Sequence, residues 1–227
     1  MAKAATIKKA PADLVEMFDD VEQGSEAWFD LRRGLPTSSK FAYVLAGGEE
    51  ARMRTKYLRQ LAGEIVSGET AETFQSEEMK RGKLMEPAAR AYYERTHLVD
   101  LRPIGFIRRT LRSSFPGTDC IVGASPDSQV GKRKGLEVKT MRPDLLLEVK
   151  QRGAAGFPSE HRAQTQGTML VADWDEVDLL LFYDGRNGPM SLKFNVTRDD
   201  AFIARLRDEL EKFSYELRKL VEQWKNM

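Results

Sequence analysis

The sequence predicts an α/β fold, with helices packed around a small central mixed sheet. Three observations lead there. Long segments with helical spacing of apolar residues alternate with short strand-like runs. The last two such runs are joined by Asp184-Gly185-Arg186-Asn187-Gly188-Pro189, which has the turn chemistry of a hairpin. At 227 residues, 41% hydrophobic and 31% charged, the chain is long enough to bury one α/β core.

The elements follow in order. Residues 1–12 read as a loose arm, carrying Lys3, Lys8 and Lys9 but no apolar stretch for a secretory signal. Residues 13–227 then form a single domain, without repeats or a linker. Ala12 to Asp30 is acidic and contains Trp28. Thr37-Ser38-Ser39 offers a helix cap before the apolar run Phe41 to Leu45, which Gly47-Gly48 closes. Tyr57, Leu58, Leu61 and Ile65 give Glu49 to Val66 helical spacing, ended by Gly68. A helix over Ser76 to Thr96 meets Pro87, where it kinks or restarts. Strands are expected at Ile104–Arg109, Cys120–Ala124, Leu136–Thr140, Glu176–Tyr183 and Ser191–Val196, and a helix at Ser159–Ala172. Thr197-Arg198-Asp199-Asp200 resembles a capping box. The final helix after it aligns Phe202, Ile203, Leu206, Leu210, Phe213, Leu217, Leu220 and Trp224 on one stripe.

Composition narrows the chemistry. Cys120 is the only cysteine, so no intramolecular disulfide framework or four-cysteine metal site can form, and a reducing cytoplasm is expected. Two histidines, His97 and His161, leave little room for a zinc-hydrolase site. No run has the length of a membrane span. The net charge is +1, yet from Lys80 to Arg162 seventeen Lys and Arg face nine Asp and Glu. That basic middle is what a binder of phosphate backbones needs.

Inside it lies Ser125-Pro126-Asp127, followed by Glu137-Val138-Lys139. On a strand Glu137 and Lys139 share a face while Val138 points to the other. The glycine-bounded stretch between reads as a hairpin connection that folds Asp127 back beside Glu137. Two carboxylates and an ammonium then converge, a donor set suited to a hard divalent ion such as magnesium. Leu147-Glu148-Val149-Lys150 nearly repeats the second string. The first copy is one hairpin from Asp127, so Glu148 and Lys150 are read as surface or DNA-backbone residues. Glu86 supplies a third candidate carboxylate, and Gln164 and Gln166 an amide near the site.

Pro126-Asp127 with Glu137-Val138-Lys139 resembles the PD-(D/E)XK nuclease motif, whose core is restriction-endonuclease-like. A wider set of motifs, in order, resembles the phage lambda exonuclease group, the YqaJ-type viral recombinase nucleases. These are Trp28-Phe29-Asp30-Leu31-Arg32-Arg33-Gly34 with Thr37-Ser38-Ser39; Gly82-Lys83-Leu84-Met85-Glu86; Ser125-Pro126-Asp127; Leu136-Glu137-Val138-Lys139; and Ala163-Gln164-Thr165-Gln166.

The resemblance implies residue roles. Asp127, Glu137 and the Val138 carbonyl would hold Mg²⁺, with Mn²⁺ able to substitute, and Glu86 would help hold a second ion. Lys139 would orient and help deprotonate the attacking water, and Gln164 matches the active-site glutamine. Arg32, Ser39 and Ser125 match residues gripping a 5′-terminal phosphate. Met79 sits where the family places a wedge between terminal base pairs.

The implied activity is 5′→3′ exonucleolysis of double-stranded DNA ends, releasing 5′-mononucleotides and leaving a 3′ tail for a single-strand annealing protein. A ring-shaped homotrimer and a phage-encoded protein in a bacterial cytoplasm are also implied. Two other readings stand beside it: an end-independent or structure-specific endonuclease of the same core, and a catalytically inert DNA-binding recombination module.

Overall fold

Chain order in the computed structural model is β1 (Leu14–Phe18), α1 (Glu26–Arg32), α2 (Phe41–Leu45), α3 (Ala51–Ser67), α4 (Glu77–His97), β2 (Phe106–Leu111), β3 (Cys120–Ala124), β4 (Ser128–Gln129), β5 (Lys134–Thr140), α5 (Pro143–Arg152), α6 (Arg162–Ala172), β6 (Glu176–Gly185), β7 (Gly188–Thr197) and α7 (Asp200–Lys225). The structure describes residues 13–71, 77–112 and 119–226, except the side chains of 77–80 and 154. The expected arm over 1–12 lies outside the described residues, as does the Met79 side chain.

The strands form two sheets, not the single central sheet expected from sequence. β1, β2 and β3 make an antiparallel sheet, and β4–β5–β6–β7 a mixed one in which β5 and β6 run parallel. Pro126, which has no N–H to give a ladder, falls where the chain leaves the first sheet for the second. A parallel neighbour needs a long crossover, and α5 and α6 supply it between β5 and β6.

Side-chain alternation along the mixed sheet divides its two faces. Leu136, Val138, Leu180 and Phe182 pack with Ala89 and Tyr93 of α4. Leu179 and Leu181 face the other way, against Leu146 of α5. A larger core joins the three-stranded sheet to α6 and the apolar stripe of α7, including Phe202, Leu206, Leu210 and Phe213. Cys120 is buried there, its Sγ 3.1 Å from Ser214 Oγ, and burial pushes its thiol up to about 11. No helix of the described residues is long and apolar enough to cross a membrane.

Several local expectations change. α4 does not restart at Pro87 but runs through it, held by the buried anchors Ala89 and Tyr93, two and six residues later. α7 is capped by Asp199, whose carboxylate accepts from Phe202 N at 2.9 Å, and not by Thr197. Thr197 is the last residue of β7, and its carbonyl accepts from Gln166 Nε2 at 2.8 Å. Short 3-10 turns at Ser38–Lys40, Gly48–Glu50 and Ser159–His161 occupy the starts expected for α2, α3 and α6.

Candidate active site

β5 carries Glu137 and Lys139 at an edge that β4 leaves open. β4 pairs only with Gly135 and Leu136. Beyond them the edge is closed by one side chain: Val138 N–H donates to Asp127 Oδ2 at 2.5 Å. The hairpin expected between Asp127 and Glu137 therefore forms, with Gly131 at φ +72° in its turn. In a strand a residue's N–H and C=O point to the same edge, so the Val138 carbonyl also faces Asp127.

Glu137 is almost wholly buried and lies on the β5 face opposite α4. Its Oε1 accepts from Lys139 Nζ at 2.7 Å, and Gln164 Nε2 donates to the same oxygen. One turn ahead of Gln164, His161 is kept neutral at mid-range pH, because burial and the Lys139 charge lower its pKa. Glu86 reaches the cluster from α4. Burial raises its pKa, and repulsion from Glu137 adds to the shift. Asp127 is pushed well above the carboxylate range by burial and then by Glu137 and Glu86. Burial opposes the Lys139 ammonium, but Glu137 and Asp127 outweigh it and hold its pKa up. Lys139 is consequently protonated here, able to orient a water and offset negative charge. Accepting a proton would first require neutralising Glu137.

Asp127 and Glu86, whose charged forms are disfavoured, crowd against Glu137 with more negative charge than Lys139 alone offsets, and a divalent ion would relieve that crowding. Among the described residues no three His, Cys, Asp or Glu side chains converge into a ready-made cage. The oxygen donors present, Asp127, Glu137 and the Val138 carbonyl, nevertheless fit a hard ion that keeps much of its water.

A second pocket adjoins the first. The Arg32 guanidinium carbon lies over the Trp28 ring, 4.0 Å from its centroid. Its Nη1 donates to Ser125 Oγ at 3.0 Å and its Nη2 to Thr37 Oγ1 at 3.4 Å. Trp28 Nε1 donates to the same Ser125 oxygen at 2.9 Å. With two donors already on its oxygen, the Ser125 hydroxyl has its own hydrogen free to donate outward. The Ser39 hydroxyl, exposed, stands 3.5 Å from Thr37 Oγ1. Among the described residues Arg32 has no carboxylate within ion-pair distance, and burial lowers its pKa to about 10. A half-buried guanidinium without an acid partner can receive an anion.

Glu64 and Tyr57 of α3 support this pocket. Gly34 N donates to the buried Glu64 Oε2 at 2.9 Å, and Thr37 N to the Tyr57 hydroxyl at 3.1 Å. Sequence reasoning missed both, since each reads as an ordinary helix residue. It also missed Arg90, four residues after Glu86 and so on the same helix face. Gln166, offered beside Gln164, is structural: buried, it accepts from Asp199 N at 2.9 Å. The second Leu-Glu-Val-Lys string lies on helix α5, where Glu148 pairs with Arg152 at the surface.

With this geometry in place, the sequence matches the YqaJ-like viral recombinase domain over residues 27–175. The chain belongs to that family. Among solved structures, an alkaline exonuclease from Laribacter hongkongensis matches with a TM-score of 0.74 at 26% identity, covering 89% of this chain and 97% of that one. The same enzyme in complex with dAMP matches equally. A phage-related exonuclease from Haemophilus somnus shares the fold, with a TM-score of 0.58 at 15% identity over 86% of this chain and 99% of that one. Comparison with curated proteins gives no match. The matched region of this YqaJ-like chain includes Trp28 through Gln166, hence every residue placed in the two pockets.

Proposed function

We propose that this chain is a magnesium-dependent 5′→3′ exonuclease that removes 5′-mononucleotides from one strand at double-stranded DNA ends. The observation that carries the reading is the short segment joining the pockets. Ser125 is bonded by Arg32, and Asp127, two residues on, is bonded to β5. Two residues span at most roughly 7 Å. An end phosphate held at Arg32 thus lies about one nucleotide from the acid cluster. That spacing favours stepwise removal from a phosphorylated end over internal cutting. The likeness to the Laribacter hongkongensis alkaline exonuclease, which was also solved with dAMP bound, supports it.

In this reading β5, Asp127 and Lys139 form a PD-(D/E)XK core. Asp127, Glu137 and the Val138 carbonyl hold the magnesium ion, with Glu86 available to a second ion, and manganese is expected to substitute. Bound there, the metal supplies Lewis-acid stabilisation of the phosphodiester and a more acidic water. The protein's own groups do the rest. Arg32, Ser125 and Ser39 grip the terminal phosphate by charge-assisted hydrogen bonds and fix polarity, because each cut exposes a new 5′ phosphate. Lys139 orients the attacking water, and Gln164 fixes the Glu137 carboxylate. Met79, in the first turn of α4, is assigned to the end wedge. A homotrimeric ring, a single-strand annealing partner and a bacterial cytoplasm complete the proposal.

A linear duplex labelled separately at each terminus tests it. Magnesium-dependent release of label from 5′ ends as mononucleotide, with a covalently closed circle left intact, is the expected result. Prompt cutting of the circle would establish the endonuclease reading instead, and no cutting of either substrate the inert binding module.

A further inference from the structure

Arg90 sits where the mechanism above has no cation. It follows Glu86 by one helical turn on α4, and its Nη1 lies 3.5 Å from Glu86 Oε1. The same nitrogen donates to the main-chain oxygen of Asp127 at 3.4 Å. Both contacts are long, and both use one nitrogen. Among the described residues Nε and Nη2 meet no acceptor, and the side chain is one-third exposed. The guanidinium therefore stands at the mouth of the acid cluster, loosely engaged, with most of its donor fork unspent.

Charge explains the arrangement. Asp127, Glu137 and Glu86 are three carboxylates, and Lys139 is committed to Glu137 at 2.7 Å. Glu86 has Arg90 as its ion-pair partner, with Lys139 and Lys83 acting on it from further off, and the Arg90 contact is long. An ion with higher charge density would take Glu86 from it readily. A released guanidinium would then remain beside the cluster, next to the position of the phosphodiester to be cut.

We propose that Arg90 is a catalytic residue with alternating partners: it neutralises Glu86 while the metal is absent, and it binds a phosphate oxygen of the substrate strand once Glu86 is drawn to the metal. The proposal rests on the acid cluster being the metal site. It makes a prediction with opposite signs. Removing the Arg90 charge frees Glu86 and removes a repelling cation, so metal binding tightens; it also removes a phosphate ligand, so nucleotide binding weakens.

Calorimetry with Mn²⁺ alone, then with dAMP at saturating Mn²⁺, reads both effects without turnover. Arg32→Ala serves as the background throughout, so that the end-phosphate pocket does not contribute. Arg90→Met is expected to bind Mn²⁺ about fivefold more tightly and dAMP about tenfold more weakly. Arg90→Lys, which keeps the charge but loses the fork, should leave Mn²⁺ affinity near that of the parent while dAMP binding stays reduced. Losses of both affinities in Arg90→Met, or no change in dAMP binding, would overturn the role of Arg90. Asp127→Asn separates the two levels: if it leaves Mn²⁺ affinity unchanged, the cluster is not the metal site and the parent reading fails with it.

Discussion

Replacing Arg32 by alanine tests most directly whether its pocket sets the direction of digestion. The guanidinium sits over the Trp28 ring, 4.0 Å from its centroid, and is bonded to Ser125 and Thr37, with no carboxylate in ion-pair distance among the described residues. A terminal phosphate would receive a charge-assisted hydrogen-bonded contact, worth roughly 1.5–3 kcal/mol. Its loss corresponds to about a 10- to 150-fold fall in kcat/KM for 5′-phosphorylated ends. Ends bearing a 5′ hydroxyl never had that contact, so their rate should hold and the ratio between the two should collapse. Folding should survive, because the lost stacking on Trp28 is offset by removing a half-buried unpaired cation.

The assay is single-turnover digestion of paired duplexes differing only in the terminal phosphate. The preference should hold through neutral pH, because the guanidinium stays charged there. A ratio unchanged in Arg32→Ala would refute the assignment of this pocket to end recognition.

Other outcomes follow from the same geometry. Lys139→Met should lower the cleavage rate by about 10²-fold or more while circular dichroism shows a folded protein; equal activity would remove Lys139 from the site. Gly135→Ala places a Cβ 2.2 Å from the Trp174 ring, an overpacking that should cost about 1–3 kcal/mol and lower the melting temperature. In metal-free protein Asp127→Asn should be stabilising at pH 8. The folded carboxyl pKa is raised above its unfolded value, so the native state loses stability as pH rises through that raised pKa, and asparagine escapes the loss. Thermal melts in chelator should show this gain vanishing under acid conditions; a gain independent of pH would count against the crowding of Asp127 by Glu137 and Glu86.

Much of this site could be read from sequence because its chemistry is local. Asp127 and Glu137 are joined by one short hairpin, and strand alternation alone puts Glu137 and Lys139 on the same face. Gln164 was legible through motif order and is indeed bonded to Glu137. What escaped depends on distant packing. β1 is an edge strand whose pairing with β2 crosses most of a hundred residues, and it has no strong strand alternation. β4 has two residues, too few for any periodic signal. The two Leu-Glu-Val-Lys strings differ in context: Pro143 opens a helix for the second, whereas the first is anchored by parallel pairing with β6. Glu64 and Tyr57 acquire meaning only when α3 is laid against the turn at Gly34.

The thiol beneath α7 has a practical use. Because Cys120 is enclosed and its sulfur resists ionisation, maleimide dyes at neutral pH should pass it by. A cysteine introduced at an exposed position such as Leu98 would then carry the only reactive sulfur. Fluorophores could be attached there without first replacing the native residue, and the proposed travel along a single DNA molecule tested by energy transfer.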